Sequence, residues 1–179
     1  YLKPVISQTA EIGIRLFPTD KTKITLAGFH NVNKDDIAFV RVNGSQAEGI
    51  FKNIGKTQRD GIELTARHRE SRWEIGASYT YLKARYKSTL NLPSLDDEIT
   101  VTPGTRIAGL PEHFFKFAAM YRVTSQVRFG GDVQWYGSQV VAGNENGTAH
   151  GEADEAIGKD KLAGYGILNL NANYEHVKG

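Results

Sequence analysis

Three tyrosines, Tyr86, Tyr136 and Tyr165, fall on one parity of alternating segments, each where a segment runs into a long polar stretch. Arg106 and His113 lie close by in sequence. Rings and a guanidinium gathered at one rim suit an anionic solute, held by stacking and charge-assisted hydrogen bonds. Strand-end tyrosines also serve simply as interfacial residues, so the five are candidates for ligand binding. The stretch Asn144 to Asp160 carries Glu145, His150, Glu152, Asp154, Glu155 and Asp160. Its spacing does not match an EF-hand loop, and a solvated loop is the better reading than a calcium site. Asn43-Gly44-Ser45 and Asn146-Gly147-Thr148 match the short glycosylation pattern, which often arises by accident.

Catalytic signals are missing. There is no Gly-x-Ser-x-Gly elbow, no phosphate-binding loop and no His-Glu-x-x-His. The chain has no cysteine, which excludes thiolate zinc sites, disulfides and cysteine nucleophiles. The five histidines are scattered without ligand spacing. No enzyme activity, cofactor or metal site is therefore expected. A net charge of +2, from 22 basic and 20 acidic residues, argues against a nucleic-acid partner.

The elements that position these residues read as strands. Apolar and polar residues alternate at Ala10–Leu16, Ile62–Arg67, Trp73–Tyr81, Phe115–Tyr121, Val127–Trp135 and Leu168–Tyr174. A less regular strand runs from about Lys23 to Asn33, with Gly28 and His30 among its apolar positions. In the six regular strands the apolar parity holds 25 positions and no charge, while the opposite parity holds 20 positions with eight charges. Such a face suits lipid, where Arg or Lys costs about 2–4 kcal/mol at the bilayer midplane. A sandwich also buries one uncharged face, so the connections must decide.

Short turns centre on residues 20, 71, 125 and 177, which are 51, 54 and 52 residues apart. Between them lie long polar loops, roughly Lys34 to Gly49, Lys87 to Glu112 and Gly137 to Gly164. Short turns at one end and long loops at the other is the arrangement of outer-membrane barrels. A kelch-type propeller shares a period near 50 but needs four short strands per repeat. Trp73, Tyr121 and Tyr174 stand at the short-turn end of the uncharged face, and Tyr79, Tyr81, Phe115 and Trp135 at the loop end. They form the two aromatic girdles of a membrane-spanning sheet. The fold class is thus all-β, an antiparallel up-and-down transmembrane β-barrel segment of about seven strands. Barrels of single bacterial chains close with even numbers of strands, so residues 1–179 are expected to be part of a larger barrel.

The residues now in view resemble the TonB-dependent receptor barrel along nearly the whole chain. Leu2-Lys3-Pro4 with Thr9, Glu11, Gly13 and Arg15 is similar to one strand entry of that family, although Val5 stands where it often has glutamate. Asn53-Ile54-Gly55-Lys56 with Arg59, Gly61, Ile62, Glu63 and Leu64 resembles its most distinctive piece. Tyr79-Thr80-Tyr81-Leu82 with Ala84, Gly109-Leu110-Pro111-Glu112-His113, and Ser138-Gln139 with Gly143-Asn144-Glu145-Asn146, Gly164-Tyr165 and Asn169-Leu170 follow in the family's order. The resemblance implies a 22-strand barrel in the bacterial outer membrane, filled by an N-terminal plug. This chain would supply seven strands near its C-terminus, with the plug and the closing strands outside it. It further implies active import of a scarce nutrient, a ferric siderophore first, with TonB acting through the plug and membrane lipid around the wall. The rival reading is a passive or structural barrel of porin or adhesin type.

Overall fold

The computed structural model describes residues 1–41, 49–93, 98–145 and 161–175. Strands β1 (Ile6–Thr19), β2 (Thr22–Arg41), β3 (Gly49–Arg69) and β4 (Trp73–Tyr86) form a continuous meander. The short β5 (Leu90–Pro93) and β6 (Glu98–Val101) follow, then β7 (His113–Arg122) and β8 (Val127–Tyr136). The last are β9 (Gln139–Val140), β10 (Lys161–Leu162) and β11 (Tyr165–Tyr174). Seven strands build one sheet in the order β1-β2-β3-β4-β7-β8-β11, with antiparallel neighbours throughout. The pairs β5-β6 and β9-β10 are hairpin-like ladders within the long loops.

Register shows what the two faces are. One outward row reads Ile14, Leu26, Leu64, Tyr79, Phe115 and Trp135 across six strands. The next row toward the turns reads Leu16, Ile24, Ala66, Ala77, Phe117, Val133 and Leu168. Among the described residues no second layer covers this face: Ile12 is 81% exposed and Leu170 79%. A soluble fold cannot leave so large an apolar surface in water. Lipid is the solvent that accepts it.

The apolar band also runs obliquely. Its uppermost aliphatic side chain is Ile62 on β3 but Leu168 on β11, and Leu168 lies in the row of Ala66, four residues lower. Four residues at ~3.3 Å, across four strand spacings of ~4.8 Å, correspond to a tilt of roughly 35°. Tilts of about 35–45° are what barrel closure imposes. The short-turn girdle closes with Trp73 and Tyr121, their ring centroids 4.3 Å apart.

The loop expectations need correction. Residues 34 to 41 are strand, because β2 continues to Arg41 and β3 begins at Gly49. Alternation lost its phase there because the ladder shifts between Asn33 and Asp36, and Asp35 adopts φ 52°. With 20 and 21 residues, β2 and β3 extend ~65–70 Å at ~3.3 Å per residue, far more than a bilayer needs. Their upper halves stand above the membrane, and β5-β6 packs against them. Val40, Ile54, Tyr86, Leu92, Ile99 and Val101 form the hydrophobic core of that cap.

The distinctive motif around Asn53 now has physical reasons. Asn53 Nδ2 donates to the Asp35 carbonyl at 2.7 Å and to the Lys3 carbonyl at 3.0 Å, while the Lys3 N–H donates to Asn53 Oδ1 at 2.8 Å. One side chain thereby ties the Leu2-Lys3-Pro4 segment to the bulge of β2. Gly55 has φ 78°, a conformation that suits glycine. Gly61 lies under the Phe29 ring, where an added Cβ would stand 2.3 Å from Phe29 Cζ and 2.6 Å from the Tyr81 carbonyl oxygen.

Candidate functional site

The five candidate residues divide among three places. Tyr136 and Tyr165 are register partners on β8 and β11, and Phe114 on β7 pairs with Tyr136 from the other side. The rings of Tyr136 and Tyr165 stack with centroids 4.9 Å apart and planes 17° apart. Phe114 lies 4.8 Å from Tyr136. All three project from the inner, charge-bearing face at the loop end of the sheet. Sequence reasoning passed over Phe114 because its neighbours Phe115 and Phe117 drew attention to the outward parity. Counting one position further would have found it.

Beneath the aromatic row runs a polar ladder. Tyr136 Oη donates to Gln134 Oε1 at 3.1 Å, and Gln134 Nε2 donates to Asp132 at 2.9 Å. Asn169 Nδ2 donates to the same carboxylate oxygen at 3.1 Å, and Lys116 Nζ stands 4.0 Å from it. Lys116 pairs with Gln134, one step below the Phe114–Tyr136 pair, and is the cation closest in register to the rings. Ring faces above and an ammonium below can hold an anionic solute with polarisable groups.

Tyr86 shares the inner parity but lies under the cap, only 4% exposed. Burial first, and then the charges of Glu145 and Asp36, push its hydroxyl up to about 12. Its register partner is Thr57, whose hydroxyl donates to Asp36 Oδ2 at 2.5 Å. Arg59 Nη1 and Nη2 each stand 3.3 Å from the same oxygen, and Asn33 Nδ2 donates to it at 3.3 Å. The Ile37 N–H donates to Asp36 Oδ1 at 2.9 Å. Burial opposes ionisation of Asp36, but these donors and the Arg59 charge outweigh it and hold the carboxyl below its usual range. The arrangement locks the cap's footing on β2, β3 and β4.

Arg106 and His113 are on the opposite, outward side. Arg106 bridges Arg85, and Arg85 lies in the row of Gln8, Val32 and Gln58. Glu112 Oε1 forms ion pairs with both guanidiniums, Arg106 Nε at 3.2 Å and Arg85 Nη2 at 3.6 Å. His113 pairs with Tyr81, and its Nδ1 is hydrogen-bonded to the Tyr79 hydroxyl at 2.8 Å. Parity was not readable for Arg106, which lies between strands, and His113 shares the parity of Phe115. The loop beyond Glu145, with its acidic residues, and both glycosylation patterns lie outside the described residues. Among the described residues no group of three or more His, Asp or Glu is placed to hold a metal ion.

Comparison with known proteins agrees with this architecture. The family described as "TonB dependent receptor-like, beta-barrel" matches residues 1–179. A ferrioxamine receptor of Yersinia enterocolitica is 26% identical over 139 residues, which are 77% of this chain and 18% of that protein. The siderophore receptor PirA from Acinetobacter baumannii superposes with a TM-score of 0.65 at 20% identity, over 97% of this chain and 26% of its own. The copper transporter OprC superposes with a TM-score of 0.67 at 22% identity, over 99% of this chain and 24% of its own. The chain thus spans about a fifth to a quarter of the length of these relatives. With an uncovered oblique apolar band, girdles at both edges and a family match over its full length, the chain belongs to the TonB-dependent receptor β-barrel family of the bacterial outer membrane.

Proposed function

We propose that this chain forms wall and outer rim of a receptor that imports a scarce nutrient with energy delivered by TonB, and that the solute is a ferric siderophore. The observation that carries the reading is the aromatic row Phe114–Tyr136–Tyr165 on the inner face, set above Lys116. Chelators that enclose iron present planar, anionic groups, which ring faces and an ammonium complement. Support also comes from the relatives, two of which are a ferrioxamine receptor and a siderophore receptor. In this reading the plug and the strands that close the barrel are supplied outside residues 1–179, and catalysis has no part. Tyr86, under the cap, would act by holding the rim in shape.

The test is ligand binding to the full-length receptor, using a panel of ferric hydroxamate and ferric catecholate chelates. Alanine at Tyr136, Tyr165 and Phe114 together removes three stacking surfaces. At about 1 kcal/mol for each ring, affinity should fall roughly 100-fold. Unchanged affinity for every chelate that the wild-type receptor binds would end the proposal for this row.

A further inference from the structure

Below the aromatic row the inner face changes sign. The row of Phe114, Tyr136 and Tyr165 continues across the sheet through Thr80, Glu63, Ala27 and Gly13. The row above it on β1 to β4 reads Glu11, Phe29, Gly61 and Leu82. The charges in these rows are the carboxylates Glu63 and Glu11. The next two rows toward the short turns bring in Arg15, Lys116, Lys23 and Arg67 against Asp132 alone. An anion that leaves the rings in that direction passes from a wall with surplus negative charge to one with surplus positive charge.

A recess of about 410 Å³ opens in this basic part of the wall. Its floor is Gly76 and Ala118, register partners on β4 and β7, and Arg67, Lys116 and Asp132 stand around it. The backbone does not demand the glycine. Gly76 is not among the glycines of positive φ, and a Cβ built there would meet only the Ala66 carbonyl oxygen, at 4.0 Å. Glycine inside a strand gives up stability, and where the fold does not require it, it marks the close approach of something else. The volume lies in the range of small-molecule sites.

The charges around the recess are unequally committed. Asp132 is engaged by Gln134, Asn169 and Lys116. Glu74, which also lines the recess, accepts from Arg69 Nη2 at 2.8 Å. Arg67 is exposed, and among the described residues no carboxylate stands within ion-pair distance of it. Lys116 belongs to both places, one register step beneath the Phe114–Tyr136 pair and beside the recess. Successive rows on one face are two residues, or ~7 Å, apart, so a solute of about that width can pass from the rings to Arg67 without losing Lys116.

We infer that this recess is a second station for the solute, occupied after capture at the aromatic row, where Arg67 donates to anionic groups of a ferric chelate seated over Gly76. The inference rests on the reading of the aromatic row as the capture site, and it names the charge class of the cargo: a chelate of net negative charge. Arg67 thereby serves passage, and the rings serve capture.

The test uses the full-length receptor in cells, with a labelled trianionic ferric tris-catecholate as probe. Surface binding is measured in the presence of an uncoupler, and uptake at saturating probe in its absence. Arg67→Gln should leave capture affinity unchanged and lower saturated uptake about tenfold, the worth of one charge-assisted hydrogen bond. Gly76→Leu, which fills the recess without touching a charge, should do the same, and Arg67→Lys should restore most of the rate. Wild-type uptake in Arg67→Gln would overturn the station while leaving the capture site standing, and so would a failure of lysine to rescue. Weakened capture in Arg67→Gln would merge the two stations into one and overturn the inference. Entry of a bulky antibiotic into Arg67→Gln cells, but not into wild-type cells, would show that Arg67 seats the plug, and would overturn it too. Wild-type receptor that captures neutral ferric hydroxamates and no anionic chelate would refute the charge class, and one that captures no ferric chelate would refute the reading of the aromatic row itself.

Discussion

Leu64 and Thr65 are neighbours in β3 whose side chains leave the sheet in opposite directions, so one substitution placed at both positions asks which face meets lipid. Leu64 is four residues from Asp60 and four from His68, the polar residues that bound the outward band on this strand. Four residues are ~13 Å of strand, or ~10 Å of depth once tilted by about 40°, so Leu64 lies near the midplane. Arginine there should cost about 2–4 kcal/mol, a factor of roughly 30 to 900 in the folded-to-unfolded ratio. At Thr65 arginine would join the charge-bearing inner face beside Arg67 and Glu74 and cost well under about 1 kcal/mol. Tyr81→Arg, at the girdle, should fall in the range of about 0–1 kcal/mol. Denaturant titration of the full-length receptor in lipid vesicles measures all three. A cost at Thr65 equal to or above that at Leu64 would refute the facing on which the whole account is built.

Four further outcomes follow from the loop-end part of the sheet. Gly61→Ala places a methyl group against the Phe29 ring and the Tyr81 carbonyl, so it should cost about 1–3 kcal/mol; Phe29→Ala should relieve only part of this, because the carbonyl cannot retreat. Asp36→Ala strips Thr57, Asn33 and Arg59 of their shared acceptor and should weaken the cap by about 2 kcal/mol, read as faster amide exchange in β5-β6. Because the Asp36 carboxyl is held low in the folded state, its contribution is complete above the usual carboxylate range and is lost as pH falls through the lowered value; Asp36→Asn should remove that acid sensitivity. Tyr86, raised from 10.0 to about 12 by burial, stays neutral under the closed cap while an exposed phenol ionises, so cap stability should fall as pH rises between those values. The loss amounts to roughly 2–3 kcal/mol when complete, and Tyr86→Phe should remove both this loss and the late component of tyrosinate absorbance that rises near about 12.

Much of the fold was legible because a lipid-facing strand obeys a strict rule. Every second residue from Trp73 to Tyr81 must avoid charge, and the same demand on β7, β8 and β11 leaves a period-two pattern that survives in a single sequence. Legibility ended where the lipid ended. Above Ile62 the outward parity of β3 carries Asp60 and Gln58, so nothing in the pattern distinguishes strand from loop. The bulge at Asp35 then exchanged the faces of what followed. The candidate site suffered from the same limit: Tyr136 and Tyr165 stand within regular strands and their facing was readable, whereas Arg106 was placed by a bridge to Arg85 that no periodicity announces. Tyr86 was assigned the correct parity, yet its burial depends on β5-β6, a hairpin whose packing partners Val40 and Ile54 lie far away in sequence.

Uptake of labelled ferric siderophores by cells carrying the full-length receptor, measured with and without an uncoupler, tests the central claim most directly. The account predicts accumulation that stops when the proton gradient collapses and falls sharply when Phe114, Tyr136 and Tyr165 are all alanine. Accumulation that continues in the presence of the uncoupler would contradict it, and would leave a passive pore in place of an energy-coupled receptor.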